Sequence, residues 1–225
     1  MGNGTSRTYV VRDEAGQPTE VGIRMSETAL DGLPDGPDAT TQMSMLALPA
    51  GASDTGFDHV MHDWNPHGHD PVALFGEPHF DMHFYMDAVQ HDIDPTAPDF
   101  AQKAGTLPEA KYVPPGYAPP PGPAEANAVP FMGLHWTDAA DNAVPGAFDF
   151  TEVLLNGSWD GKFAVHRTDD DPGMAADAHR LAGGGQAAAV LSAHRVLPDR
   201  LLRPLRRVRT GVCHRARRMT MRQAS

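Results

Sequence analysis

No aromatic residue follows Phe163: all sixteen lie at or before it, and the last 62 residues contain none. Aromatics supply much of the buried area of a core, so the fold has to be built by what precedes that point. The charge turns over at the same place. Residues 1–163 carry 6 Lys and Arg against 24 Asp and Glu, a balance of −18. Residues 164–225 carry 12 Arg, no Lys and 5 Asp, a balance of +7, which restores the overall −11. Two regions are therefore expected: a β-rich histidine-cluster domain over 1–163 and a basic, aromatic-free tail over 164–225. The tail is expected to be disordered or loosely helical, with helix propensity at 174–180 and 186–196.

Within the first region, short apolar runs alternate with Gly/Pro punctuation, the pattern of a mainly β sandwich or barrel of short antiparallel strands. Thr8–Arg12 and Val21–Met25 flank Gly16 and Pro18 as a hairpin. Leu30–Pro37 is a loop, Met43–Leu48 a further strand, and His79–Met86 the best strand in the chain. Residues 113–130 hold seven prolines and are expected to be a polyproline-like connection without strand or helix. Phe148–Leu155, a turn at Asn156–Gly157, Ser158–Trp159 and a turn at Asp160–Gly161 suggest a second hairpin.

Several function classes fall away. No apolar run approaches the roughly 20 residues of a membrane span, and Met1–Ser6 lacks the apolar region of a secretory signal. One cysteine, Cys213, excludes an internal disulfide and a cysteine zinc cage. There is no G-x-S-x-G elbow, P-loop or dinucleotide glycine fingerprint. Asp169–Asp171 lacks calcium-loop spacing. The tail arginines are not interleaved with aromatics, so nucleic acid is not expected as a partner.

What remains is histidine. Seven of the twelve lie between His59 and His91, and His135 follows the proline-rich stretch. In P-H-F-D-M-H-F-Y (Pro78–Tyr85), strand alternation puts His79, Asp81, His83 and Tyr85 on one face and Phe80, Met82 and Phe84 on the other. An imidazole–carboxylate–imidazole row beside an apolar face suits a divalent cation, with His135 from another strand completing the shell and His69 in reserve. Two histidines and a carboxylate favour iron(II), three histidines favour zinc, and manganese or copper are further candidates; the sequence does not choose. Two plainer readings stand beside this one. Alternating polar residues are commonly a solvent face, which is expected for His62, His67 and His91, and the row can be a hydrogen-bonded network without an ion.

Taken in order, Y-V-V-R-D-E-A-G-Q-P, W-N-P-H-G-H-D-P, P-H-F-D-M-H-F-Y, M-G-L-H-W and G-S-W-D-G-K-F resemble a small prokaryotic family of unknown function. Its members include a Thermus hypothetical protein controlled by an envelope-stress (sigma-E) factor. The resemblance spans about residues 7–163. It implies a β-rich, oligomeric, often exported protein without an established activity, and it places His69, His79, Asp81, His83 and His135 on shared polar positions. The family continues after G-K-F with a segment like F-I-E-P-M-M-T and later Y-Y-P, whereas this chain reads A-V-H-R-T-D-D-D-P. Codons displaced by one nucleotide from Val165 onward can give the first segment, and Val190–Ala193 the second. The tail from about Ala164 therefore reads as a frameshift product.

The sequence thus leads to a divalent-metal site at His79, Asp81, His83, His135 and His69, in a binding or structural role within an envelope-associated homo-oligomer. The alternative is a metal-dependent enzyme, of hydrolase or oxygenase type, with Tyr85 and Asp81 as acid/base groups beside an open coordination position. Without the resemblance, the missing signal would point to the cytoplasm.

Overall fold

The computed structural model describes residues 2–86, 88, 93–141, 143–148, 152–170 and 191–192. The protein is mainly β and antiparallel. Strands β1 (Ser6–Arg12) and β2 (Pro18–Met25) form the expected first hairpin. They are followed by β3 (Gln42–Ala47), β4 (His59–Asn65), helix α1 (Val72–Phe75) and β5 (His79–Tyr85). Next come α2 (Phe100–Gly105), β6 (Tyr117–Ala118), α3 (Ala124–Asn127), β7 (Ala128–Val129) and β8 (Gly133–Asp138). The last are β9 (Glu152–Trp159), β10 (Lys162–Asp170) and the short β11 (Leu191–Ser192). The larger sheet runs β3-β4-β5-β10-β9-β8-β6, with β7 also on β8; the smaller runs β1-β2-β11.

The two sheets pack face to face. Val21, Ile23 and Met25 of β2 meet Val60 and Trp64 of β4 and Phe80, Met82 and Phe84 of β5 in one core, closed by Ala29 and Phe57. Period-two alternation fills this core: the even-numbered residues of β5 enter it, as expected. Full burial of each such side chain contributes about 1.5–3 kcal/mol. The opposite face of β4 and β5 is covered as well. Met132, next to β8, packs on Met61 and Tyr85 although β8 is three strands away in the sheet order, so the large sheet curls over this face. The odd-numbered residues of β5 are consequently as buried as the even ones.

The structure departs from the sequence reading in four places. Asn156–Gly157 is not a turn: β9 runs straight through it, with Asn156 opposite Trp136 and His166, and only Asp160–Gly161 turns the chain. Both turn residues have positive φ, 47° and 79°, the backbone of a two-residue hairpin whose twist matches its strands. Asn156 is also buried. The proline-rich stretch holds the small elements β6, α3 and β7, because β8 offers its ladder groups to Tyr117–Ala118 and Ala128–Val129. β4 was missing from the reading.

The fourth departure is His62, expected in solvent. It is fully buried in the inter-sheet core, tilted against the Phe80 ring at 5.4 Å. Its strand neighbours Val60 and Trp64 settle the side it takes, since alternation sends positions 60, 62 and 64 to one face and two large apolar residues outweigh one imidazole. His67 is exposed, as expected; His91 lies outside the described residues.

Beyond Phe163 the backbone continues as β10 to Asp170 and pairs with both β5 and β9, in the middle of the sheet. The expected helical stretches of the tail, 174–180 and 186–196, lie outside the described residues apart from β11.

Candidate metal centre

The odd-numbered face of β5 is the floor of the centre. β4 and β5 pair antiparallel with Asp63 opposite Asp81, Asn65 opposite His79 and Met61 opposite His83. Directly opposed residues share a face, which brings Asp63 and Asn65 to the same side as the three β5 residues.

His69 arrives from the loop after β4. In W-N-P-H-G-H-D-P the chain reverses at Gly68, whose amide donates to the Asn65 carbonyl at 3.2 Å. Gly68 has φ 62°, and a Cβ there would lie 2.0 Å from the Phe75 carbonyl oxygen, so no other residue fits. The His69 amide then donates to that same Phe75 oxygen at 2.9 Å, and α1 holds the loop against the end of β5. The His69 ring rests on Phe75 (5.4 Å) and edge-on to His79 (4.8 Å).

Among the described residues, two groups of ligand-type side chains result, each with its ligand atoms within 4.8 Å of one another: His69, His79 and Asp81, and Asp63, Asp81 and His83. Asp81 belongs to both. In the first group, His79 Nε2 is 3.1 Å from Asp81 Oδ1 and His69 Nε2 is 3.5 Å from Asp81 Oδ2. In the second, His83 Nδ1 is 3.7 Å from Asp63 Oδ2. Metal–ligand bonds of about 2.1 Å separate neighbouring ligand atoms by roughly 3.0 Å in an octahedron and 3.4 Å in a tetrahedron. The 3.1 and 3.5 Å contacts of the first group match those spacings, and the 3.7 Å contact of the second is somewhat wider.

The hydrogen bonds around the first group set its tautomers. His79 Nδ1 donates to the Glu77 carbonyl at 2.7 Å, and His69 Nδ1 donates to the Asp70 carbonyl at 2.7 Å. A carbonyl oxygen only accepts, so in both rings the proton of the neutral form sits on Nδ1. Each Nε2 then turns a lone pair toward the Asp81 carboxylate. Asp81 itself is oriented by Asn65, whose amide donates to Oδ2 at 2.9 Å while its own oxygen accepts from the Thr41 hydroxyl at 2.8 Å. His79 and Asp81 are 1% and 4% exposed, whereas the His69 side chain is 24% exposed and forms the open edge.

The five residues expected to share one ion thus do not converge on one point. His69, expected only in reserve, joins His79 and Asp81. His83 stands on the other side of Asp81 along β5 with Asp63. His135 is in neither group: its Nε2 lies 3.3 Å from Met132 Sδ, at the Tyr85 end of the face. Tyr85 is fully buried, its ring stacked on His59 at 4.7 Å and parallel to His83 at 6.0 Å. Asp63 and Asn65 were missed by the sequence reading. Their signal was the alternation His59, Met61, Asp63, Asn65 against Val60, Trp64, obscured because a histidine occupies the apolar position 62.

Among the described residues, no helix is long and apolar enough to cross a membrane. No curated protein and no solved structure matches the chain. Residues 13–64, which run from the first hairpin through β4 with Asp63, match the family model described as TTHB210-like, Hypothetical protein TTHB210, a family without an assigned activity.

Proposed function

We propose that His69, His79 and Asp81 hold a divalent cation, zinc or iron(II), and that the protein binds this ion in a structural or sequestering role. One observation carries the reading. Two imidazoles whose Nδ1 protons are committed to backbone carbonyls turn their Nε2 lone pairs onto one buried carboxylate. Lone pairs and a carboxylate repel unless a cation or a proton lies between them, and a divalent ion satisfies both rings and the carboxylate at once. Backbone acceptors behind the imidazoles and Asn65 behind the carboxylate are the outer hydrogen bonds that orient metal ligands.

The ion would tie the loop after β4 to β5. Self-association of an envelope protein is supported by strand β3, which ends the large sheet and exposes Met43 and Met45 at 60% and 57%. A second reading, metal-dependent catalysis, is supported by the open edge at His69: three protein ligands leave a position for water or substrate.

The test is elemental analysis of the purified chain beside His79→Gln. Bound zinc or iron that falls by about one ion per chain in the variant is the expected result. A chain that stays metal-free after dialysis against zinc and iron(II) overturns the reading and leaves the cluster as a protonated hydrogen-bonded network.

A further inference from the structure

Asp63, Asp81 and His83 play no part in the single-ion reading except through Asp81, yet they form a fully buried group. Asp63 and Asp81 face each other directly across the β4–β5 ladder, both 4% exposed. Opposed side chains on one face have Cβ atoms about 4.5–5.5 Å apart. Two carboxylates at that distance, away from water, do not both stay ionised without a cation or a proton between them. The Asp81 Oδ1 and Oδ2 atoms already face His79 and His69. His79 and His83, four residues and roughly 13 Å apart along β5, fall in separate groups that share only Asp81.

Resting on the metal reading above, we infer that the centre binds two divalent cations: one at His69, His79 and Asp81, the other at Asp63, Asp81 and His83, with the Asp81 carboxylate bridging them. Paired sites of this kind hold their ions about 3.5–4 Å apart, the span one bridging carboxylate provides. Two divalent ions carry more positive charge than two aspartates neutralise. The remainder calls for a bound hydroxide or an oxyanion such as phosphate, entering at the His69 edge.

The experiment is zinc stoichiometry by equilibrium dialysis on the full chain and three variants, each checked for native circular dichroism. The unsubstituted chain is expected to hold two zinc ions. Asp63→Asn keeps one, His69→Gln/His79→Gln keeps one, and Asp81→Asn keeps neither. A single zinc that survives Asp63→Asn and is lost in His69→Gln/His79→Gln overturns the second site while leaving the first. A single zinc with the reverse pattern moves the ion to Asp63 and overturns the proposed function and the pair together. No zinc in any protein overturns both. A readout that needs no variant to fold is electron paramagnetic resonance of the unsubstituted chain loaded with manganese(II). An exchange-coupled signal is expected, and two equivalents giving only the isolated six-line spectrum overturn the bridge.

Discussion

Replacing His62 by leucine should make the protein more stable, and increasingly so as the pH falls. His62 is fully buried between the two sheets, and neither ring nitrogen has a hydrogen-bond partner among the described residues. A neutral imidazole holds one donor and one acceptor there, and an unsatisfied buried polar group costs about 1–3 kcal/mol. Leucine has nearly the same volume, and its shape mismatch against Phe80 costs under about 1.5 kcal/mol. A net gain of roughly 1–3 kcal/mol at pH 7 follows, or on the order of 2–12 °C in Tm for a chain of this size. Burial also pushes the His62 pKa down to about 4 from 6.5, with Asp81 opposing the shift. The neutral form is therefore the native one, and the unfolded chain takes up the proton first. His62 costs the native state nothing through titration above about pH 6.5, and the penalty grows as the pH falls toward 4. Over that window it reaches about 3 kcal/mol. Urea unfolding of wild type and His62→Leu in the presence of a chelator, at pH 7 and pH 5, reads both effects; the chelator removes any ion next door at Asp63. A variant less stable than wild type at pH 7, or a stability gap that does not widen at pH 5, would refute the reasoning and mean that the imidazole is bonded.

Four further outcomes are expected. Asn65→Ala removes the amide that orients Asp81 and leaves the Thr41 hydroxyl without its acceptor; it should weaken zinc binding 10–100-fold and cost about 1–3 kcal/mol, read by competition with a chelating dye and by urea unfolding. Gly68→Ala places a Cβ against the Phe75 carbonyl at positive φ; it should cost more than about 1 kcal/mol in thermal unfolding and reduce zinc binding by displacing His69. Phe80→Ala opens a cavity in the inter-sheet core and should cost about 3–5 kcal/mol in urea unfolding. Sequencing the coding DNA across Phe163 tests the frameshift: the displaced frame is expected to encode F-I-E-P-M-M-T and, later, Y-Y-P, and a displaced frame without them discards the idea.

The local pattern of the sequence was enough to establish what depends on near neighbours. Alternation along Pro78–Tyr85 separated Phe80, Met82 and Phe84 from His79, Asp81 and His83, and the structure keeps that division. The first hairpin and the Asp160–Gly161 turn were legible because turn chemistry is a property of two to four consecutive residues. What alternation does not contain is which strands lie side by side. Asp63 became a partner of Asp81 only through the β4–β5 register, and His69 reached His79 only because Gly68 and the Phe75 carbonyl fold the loop back. His135 fell outside both groups because the curl of the sheet brings it, with Met132, to the Tyr85 end of the face and not to Asp81. The same long-range pairing reversed two local expectations. Asn156–Gly157 is a good turn pair by itself, but β8 and β10 bind it on both sides and hold it extended. His62 is polar by itself, but it is carried into the core by Val60, Trp64 and the sheet packed over them. The sequence by itself determined which residue types could bind an ion; the packing of strands distant in the chain decided which of them meet.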